Sequence, residues 1–210
     1  MNTIVTKFRG AEYLDSVHEP SQLPPDAGIE IAIAGRSNAG KSSLINRLCR
    51  RTGLARTSRT PGRTRQLVFF RLDPLRNLVD LPGYGYARVG GDLKQHWGRL
   101  IQSYLDRRRA LAGLVVVMDI RHPLKDSDAE LIEWAGSRGL PLHLVLTKAD
   151  KLGRGKQKEA LLQVRNRVAE QVGVQTFSAT SGLGLDELDA TMARWFGLVD
   201  DPPEEPGAPG

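Results

Sequence analysis

The sequence of 210 residues lacks the features that define several other classes of protein. It has one cysteine, Cys49, which excludes an internal disulfide and any zinc site built from several cysteines. No apolar run approaches the roughly 18 residues of a membrane-spanning helix, and the first residues contain no apolar block of signal-peptide length. We therefore expect a cytoplasmic protein, since the cytoplasm is a reducing compartment, and no membrane partner.

Acidic residues are absent from positions 31–72, although the whole chain has 24 Asp and Glu against 30 Lys and Arg. The net charge is +6 and the pI is about 9.7. The ten basic residues of this stretch are Arg36, Lys41, Arg47, Arg50, Arg51, Arg56, Arg59, Arg63, Arg65 and Arg71. One interpretation is a solvated helix face followed by a loop. The functional interpretation is a surface that faces polyphosphate, from a nucleotide, an RNA backbone or both.

Apolar runs typical of strands alternate with helical patterns through residues 28–198. Predicted strands cover 29–34, 66–72, 75–79, 114–120, 142–146 and 175–178, and the helical patterns include 41–51, 92–110 and 185–196. This alternation predicts an α/β fold with a mostly parallel six-stranded sheet and helices on both faces. The turn signal Asp73-Pro74 predicts a hairpin, which adds one antiparallel edge strand.

Two terminal segments differ in composition from residues 28–198, which we predict to form one domain. Residues 1–27 carry three prolines after a polar start, and they predict an irregular arm packed on the domain. Residues 199–210 contain four acids and four prolines, and they predict a disordered tail.

A glycine loop after the first predicted strand matches the phosphate-binding pattern G-x-x-x-x-G-K-[ST] at every fixed position. Its residues are Gly35, Arg36, Ser37, Asn38, Ala39, Gly40, Lys41 and Ser42. Such a loop wraps its backbone N–H groups around phosphate oxygens, and the positive end of the following helix adds to the attraction. Lys41 would reach the β- and γ-phosphates, and the Ser42 hydroxyl would coordinate Mg²⁺. The motif does not distinguish ATP from GTP, or a hydrolase from a small-molecule kinase.

A second motif, Asp80-Leu81-Pro82-Gly83, follows the strand predicted at 75–79. A carboxylate at that position can hold Mg²⁺ through water, and the Gly83 N–H can meet a γ-phosphate. A simple strand-ending turn would use the same residue types. The spacing of 39 residues from Lys41, with a hairpin in between, favours the metal and phosphate role.

Two further strand ends indicate a reader of the nucleotide base. They carry Thr147, Lys148, Ala149 and Asp150 in one segment, and Phe177, Ser178 and Ala179 in the other. The Asp150 carboxylate can accept hydrogen bonds from two N–H groups of guanine that adenine does not offer, and such a site can reject the wrong base by ~10⁴-fold. The Lys148 stem can lie along the base plane. The alternative is an ordinary loop with a capping aspartate.

Five segments in this order resemble the EngB family of bacterial GTPases, within the Ras-like G domains. They are GRSNAGKSSLIN (35–46), TPGRT (60–64), DLPGYGYA (80–87), TKAD (147–150) and FSAT (177–180). The resemblance implies that residues 28–198 form a P-loop NTPase G domain that binds GTP. It implies GTP and GDP as ligands, Mg²⁺ as cofactor and slow GTP hydrolysis. It also implies contact with the large ribosomal subunit or its precursors, and a link to formation of the division septum.

The resemblance also implies a first switch that contacts the phosphates, made of Gly62, Arg63, Thr64, Arg65 and Gln66. In this family pattern Thr64 closes on Mg²⁺, together with Ser42 and, through water, Asp80. Spacing alone would not choose Thr64 over Thr57 or Thr60.

The catalytic residues implied by the resemblance are Lys41, Thr64, Gly83 and Asn38. Many Ras-like enzymes place a water-orienting glutamine directly after the DxxG glycine, but this chain has Tyr84, which predicts slow intrinsic turnover. We expect Tyr84 and Tyr86 to be exposed. In related GTPases an asparagine at this position of the glycine loop supports a K⁺ ion. K⁺ binding near Asn38 is therefore a hypothesis for this chain. The alternative is that the Asn38 amide only stabilises the loop.

Two other functions stay open on the sequence alone. One is a P-loop phosphotransferase acting on a small molecule, against which the TKAD segment argues. The other is an RNA-binding module that keeps its nucleotide as a structural cofactor. We expect a monomer whose nucleotide state changes how the basic residues near the first switch are presented to ribosomal RNA or protein.

Overall fold

The computed structural model describes residues 8–55, 66–84 and 100–199. Within these ranges, one sheet contains β1 (Glu12–Val17), β2 (Ile29–Gly35), β3 (Leu67–Asp73), β4 (Arg76–Asp80), β5 (Leu111–Asp119), β6 (Leu142–Thr147) and β7 (Gly173–Thr176). Their order across the sheet is β1-β3-β4-β2-β5-β6-β7. The β2–β4, β2–β5, β5–β6 and β6–β7 pairs are parallel, and β3 is antiparallel to both β4 and β1. The predicted α/β fold with a mostly parallel sheet is confirmed.

Helices cover both faces of the sheet. They are α1 (Lys41–Leu48), α2 (residues 100–107), α3 (Asp126–Ser137), α4 (Arg154–Arg165) and α5 (Leu185–Trp195). Alternate strand residues point to opposite faces: Ile31 and Val115 belong to the core beneath α1 and α5, whereas Ala32 and Val116 belong to the core beneath α2, α3 and α4. In the described part of the chain, no helix combines the length and the apolar character that crossing a bilayer requires.

The predicted number of six strands is wrong, because β1 forms within the segment that we expected to be irregular. Its sequence EYLDSV contains two acids, and Val17 is its one buried residue. An edge strand has one free edge and a solvated face, so it shows little of the apolar pattern on which prediction depends. β1 pairs with β3 through the backbone, with Tyr13 opposite Phe70 and Val17 opposite Leu67. The antiparallel strand β3 is therefore second from the edge.

Some predicted boundaries also shift. α1 ends at Leu48 and not at residue 51, and β7 spans Gly173–Thr176 and not 175–178. Phe177 and Ser178 therefore belong to the loop after β7. Residues 92–99 of the helix predicted at 92–110 lie outside the described residues, as do residues 200–210 of the predicted tail.

A buried polar group, the Glu30 cluster (Glu30, Tyr104 and Arg108), lies at the amino end of β2. The Arg108 guanidinium donates to both carboxylate oxygens of Glu30, with Nε–Oε2 at 3.0 Å and Nη2–Oε1 at 2.6 Å. The Tyr104 hydroxyl donates to Glu30 Oε2 at 2.9 Å. Arg108 also donates to the carbonyls of Pro24 and Pro25, at 2.7 and 3.1 Å. The cluster thus connects the segment before β2 to the end of α2.

Candidate nucleotide-binding site

Apart from Gln66, the predicted site residues that the structure describes meet at the carboxyl edge of the sheet, where the parallel strands end. β2 ends at Gly35, β4 at Asp80, β5 at Asp119 and β6 at Thr147. Register pairs Asp119 directly with Thr147. Loops at the carboxyl ends of parallel strands form the usual ligand crevice of open α/β sheets. The fold therefore brings the glycine loop, the second motif and the base-reading loop to one place.

The glycine loop wraps closely against its neighbours before it enters α1. A Cβ at Gly35 would lie 2.6 Å from the carbonyl oxygen of Val117, so no larger residue fits there without a shift. Gly40 has φ +98°, a left-handed conformation that glycine adopts without strain. α1 begins at the next residue, Lys41, with no acidic side chain in its first turn. The free N–H groups at its start are therefore available to an anion at this edge.

Lys41 forms an ion pair with Asp80 across the two motifs. The side chains are 11% and 8% exposed. Burial raises the pKa of the Asp80 carboxyl, and the ammonium group of Lys41 opposes this effect. The pairing confirms that the ends of β2 and β4 place the loop lysine and the second-motif carboxylate in contact. A carboxylate and the neighbouring Ser42 hydroxyl are hard oxygen donors of the kind that Mg²⁺ prefers, so the residues fit this ion.

The second motif lies directly against the glycine loop. Ser37 N–H donates to the carbonyl of Tyr84 at 3.1 Å, and Tyr84 N–H donates to the carbonyl of Gly35 at 3.3 Å. A Cβ at Gly83 would lie 2.7 Å from Ser37 Oγ. Glycine at position 83 therefore allows the two backbones to approach each other closely.

Tyr84 is not exposed as expected, because it packs on the core beneath α2, α3 and α4. Its hydroxyl donates to Asp128 Oδ1 at 2.9 Å, and the other oxygen of Asp128 accepts from the Lys125 N–H at 3.0 Å. Burial, with the nearby Asp128 carboxylate, raises the pKa of the Tyr84 phenol. Tyr84 thus anchors the end of the second motif to the start of α3. Tyr86 lies outside the described residues.

The base-reading loop is connected to the glycine loop by two side chains. The Thr147 hydroxyl donates to the carbonyl of Ala39. The Lys148 ammonium donates to the carbonyl of Asn38 at 2.6 Å and lies 3.0 Å from Asp119 Oδ2. Because Lys148 also has a left-handed backbone, with φ +59°, the chain turns sharply here. The two loops form one connected framework.

Asp150 is held by the loop after β7. The Ser178 hydroxyl donates to Asp150 Oδ1 at 2.8 Å, and Lys151 Nζ lies 3.3 Å from Oδ2. The hydrogen bond from Ser178 is the largest of the effects that lower the pKa of the Asp150 carboxyl, so this group is an anion at neutral pH. Ala149 N–H donates to the carbonyl of Phe177 at 3.1 Å, which joins the two loops through the backbone.

Not every predicted residue is at this edge, and some important ones were missed. Gln66 donates from its amide to Ser16 of β1 at 3.1 Å. Four residues of the predicted first switch lie outside the described residues: Gly62, Arg63, Thr64 and Arg65. The sequence reasoning missed Asp119, Arg121 and Asp128. Asp119 could have been found, because it falls near the carboxyl end of a predicted strand.

Comparisons with known proteins agree with this geometry. A family model described as a 50S ribosome-binding GTPase matches residues 30–148, more than half of the chain. "Probable GTP-binding protein EngB" of Xanthomonas axonopodis pv. citri is 55% identical over 204 residues, covering 95% of each chain. The protein of the same description from Xylella fastidiosa is 54% identical over 193 residues, covering 90% of this chain and 95% of its own.

Solved structures share the fold at lower sequence identity. A crystal structure of a probable GTP-binding protein EngB has a TM-score of 0.65 at 21% identity, covering 81% of this chain and all of its own. Era, solved with MgGDPNP and a segment of 16S ribosomal RNA, has a TM-score of 0.63 at 21% identity, covering 86% of this chain and 60% of its own. The chain belongs to the EngB family of GTP-binding proteins, which are P-loop GTPases.

Proposed function

We propose that the Asp150 carboxylate recognises guanine and that the glycine loop binds the phosphates. The observation that carries this proposal is the pair of loops joined by Lys148 and Asn38, with an ionised Asp150 held by Ser178 beside them. A carboxylate fixed in this way accepts from a guanine edge and would be left unpaired by adenine. The proposed phosphate contacts are Gly35, Arg36, Ser37, Asn38, Ala39, Gly40, Lys41, Ser42 and, from the second motif, Asp80, Leu81, Pro82 and Gly83. Thr147, Lys148 and Ala149 complete the base-reading loop with Asp150, and Phe177, Ser178 and Ala179 support the base.

The proposed hydrolysis depends on Mg²⁺, which Ser42, Thr64 and, through water, Asp80 would hold. When bound, this ion neutralises charge that develops on the phosphate oxygens. Lys41 would exchange its contact with Asp80 for the β- and γ-phosphates, and the Gly83 N–H would meet the γ-phosphate. Tyr84 is held by Asp128 and has no amide with which to orient water, so turnover without an activator should be slow.

K⁺ near Asn38 remains a separate hypothesis about this step. Turnover at saturating GTP, measured in K⁺ and in Na⁺ buffers, tests it. Equal rates in the two buffers would remove K⁺ from the proposed mechanism.

We further propose a cytoplasmic, monomeric switch that docks on the large ribosomal subunit during its assembly and that normal septation requires. The acid-free stretch at 31–72 supports a polyanionic partner. The description of the matching family model, a 50S ribosome-binding GTPase, supports the choice of subunit.

Two measurements test the proposal. In competition for a fluorescent GDP analogue, GTP and GDP should displace the probe and ATP should not; efficient displacement by ATP would favour a phosphotransferase. In co-sedimentation with large-subunit particles, binding should be stronger with a non-hydrolysable GTP analogue than with GDP, and should weaken as salt rises. Equal binding in both nucleotide states would remove the switch.

A further inference from the structure

Asp119 belongs to neither the phosphate-loop pattern nor the base-reading pattern, yet it lies between the two. It is the last residue of β5, and its register partner is Thr147 at the end of β6. The residue after Thr147 is Lys148, so the topology starts this lysine beside the Asp119 carboxylate. The Asp119 side chain is 16% exposed, which places it inside the site and not on an open surface.

Two oxygen atoms from different loops fix the Lys148 ammonium. It donates to the carbonyl of Asn38 at 2.6 Å, and it lies 3.0 Å from Asp119 Oδ2. The Asn38 contact alone would allow the lysine to pivot about one oxygen. The second acceptor, on a rigid strand end, defines where the ammonium and its stem lie.

Arg121 in turn fixes the Asp119 carboxylate. Its Nε donates to Oδ1 at 2.9 Å, its Nη2 donates to Oδ2 at 2.7 Å, and its backbone N–H donates to Oδ1 at 3.1 Å. Two parallel N–H contacts from one guanidinium hold a carboxylate in a single orientation. Burial acts to raise the pKa of Asp119, but the hydrogen bonds from Arg121 and Lys148 outweigh it, so that the pKa falls and the carboxylate stays ionised.

We propose that Asp119 is a positioning residue for guanine-nucleotide binding, which holds Lys148 in place along the base before the nucleotide arrives. A lysine side chain loses much of its rotamer freedom when it is fixed. A side chain that is already fixed loses less of it on binding, so affinity rises without a new contact to the ligand. The inference rests on the proposed function, because it gives Lys148 a role only where a guanine base lies against it.

The test compares four variants of the full chain by their affinity for a fluorescent GDP analogue. Asp119→Asn keeps the shape of the side chain but removes its charge. We expect affinity to fall about tenfold, which corresponds to a loss of about 1.4 kcal/mol of binding free energy. Lys148→Met should lose at least as much. The double variant, Asp119→Asn with Lys148→Met, should bind less than about twofold more weakly than Lys148→Met alone. The effects of two residues that act as a unit do not add. Asp106→Asn is the matched control: it breaks an Asp–Arg pair of 2.7 Å, with Arg138, and should leave affinity unchanged.

A second readout separates an effect that acts through Lys148 on the base plane from an effect on the contact with the exocyclic amine of guanine. Inosine diphosphate offers the same base plane without the exocyclic amine, so Asp119→Asn should weaken it and GDP by the same factor. Wild-type affinity for Asp119→Asn, or losses that add fully in the double variant, would overturn the inference while leaving the proposed function intact. If the wild-type chain itself did not prefer GDP to ADP, the proposed function would fail first.

Discussion

The amino and carboxyl ends of the parallel strands carry similar groups of charged side chains with different access to solvent. At the amino end, Glu30 is fully buried and accepts from Tyr104 and Arg108, and the Arg108 side chain is 4% exposed. At the carboxyl end, the Lys148–Asp119 pair has side chains that are 31% and 16% exposed. The sheet thus has a buried ion pair at the amino end of β2 and a more exposed one at the carboxyl ends of β5 and β6.

The difference in exposure indicates which pair stabilises the fold and which pair can contribute to ligand binding. A buried pair that is saturated by protein donors has no bond left to offer a ligand, and it costs several kcal/mol when one partner is removed. The pairs at the carboxyl end lie next to helix α1 and two loops that converge on one crevice. Lys41 can exchange its carboxylate for a phosphate, whereas the Lys148 stem can lie along a base while Asp119 holds its ammonium. We therefore expect changes at the amino end to alter stability, and changes at the carboxyl end to alter binding.

The largest expected effect comes from the Glu30 cluster. Glu30→Ala leaves the Arg108 guanidinium buried without its carboxylate, and we expect the free energy of unfolding to fall by about 3–5 kcal/mol. Urea unfolding of the nucleotide-free chain measures this loss. GDP affinity of the folded fraction should be unchanged. A drop in affinity larger than the drop in stability would break the contrast between the two ends.

Lys41→Ala should show the opposite balance at the carboxyl end. We expect affinity for GTP to fall about 100-fold, equivalent to about 2.7 kcal/mol, because the phosphates lose their cation. The unfolding free energy should fall by less, since burial raises the pKa of Asp80 and lets it take up a proton when the ammonium is gone. Titration of a fluorescent GTP analogue and urea unfolding measure the two effects. Full affinity in this variant would refute the assigned role of Lys41.

Tyr84→Phe tests a single hydrogen bond, and we expect a smaller effect than for Glu30→Ala or Lys41→Ala. The hydroxyl donates to the Asp128 carboxylate, and loss of a hydrogen bond to a charged group costs about 1.5–3 kcal/mol. We expect a loss of unfolding free energy near the lower end of that range, because Asp128 keeps its bond from Lys125. Single-turnover GTP hydrolysis should change by less than about twofold. A large loss of turnover would mean that the phenol takes part in the chemistry.

The smallest expected effect is a pH dependence from Asp119. Its pKa is lower in the folded chain than its unfolded value of about 3.9, so the folded state binds fewer protons at acidic pH. The stability contributed by this group is complete above pH ~4 and is lost as pH falls through the folded pKa. Below pH ~4, unfolding free energy should fall less steeply for Asp119→Asn than for the wild type. Identical slopes would show that the ion pair contributes nothing to stability.

The parts of the fold that the sequence predicts are those with strong local patterns. β5, for example, is buried on both faces, so its residues form a nearly continuous apolar run. β1 was missed for the opposite reason: it is held by backbone pairing at an edge, and its side chains EYLDSV carry little pattern. Local sequence reports burial well and backbone pairing poorly.

The site residues likewise divide into those that a local sequence pattern predicts and those that only the tertiary fold brings together. The glycine loop was predictable, because its spacing follows from the geometry of one turn and one helix start. Asp119 and Asp128 contact residues that are distant in sequence, Lys148 and Tyr84, and only the tertiary fold brings these partners together. The exposure expected for Tyr84 was wrong for that reason, since it was inferred from the glycine-rich neighbours of this residue. Contacts of this kind depend on strand order, which no single segment contains.

The central claim is that the Asp150 carboxylate reads the guanine edge, and Asp150→Asn tests it most directly. Calorimetry should compare GDP with xanthosine diphosphate on the wild-type chain and on this variant. An amide offers a donor where the carboxylate only accepts, so it suits the carbonyl at C2 of xanthine and not the amine of guanine. We predict that GDP affinity falls by at least about 100-fold and that xanthosine diphosphate gains affinity. A variant that still prefers GDP, with no gain for xanthosine diphosphate, would contradict the account.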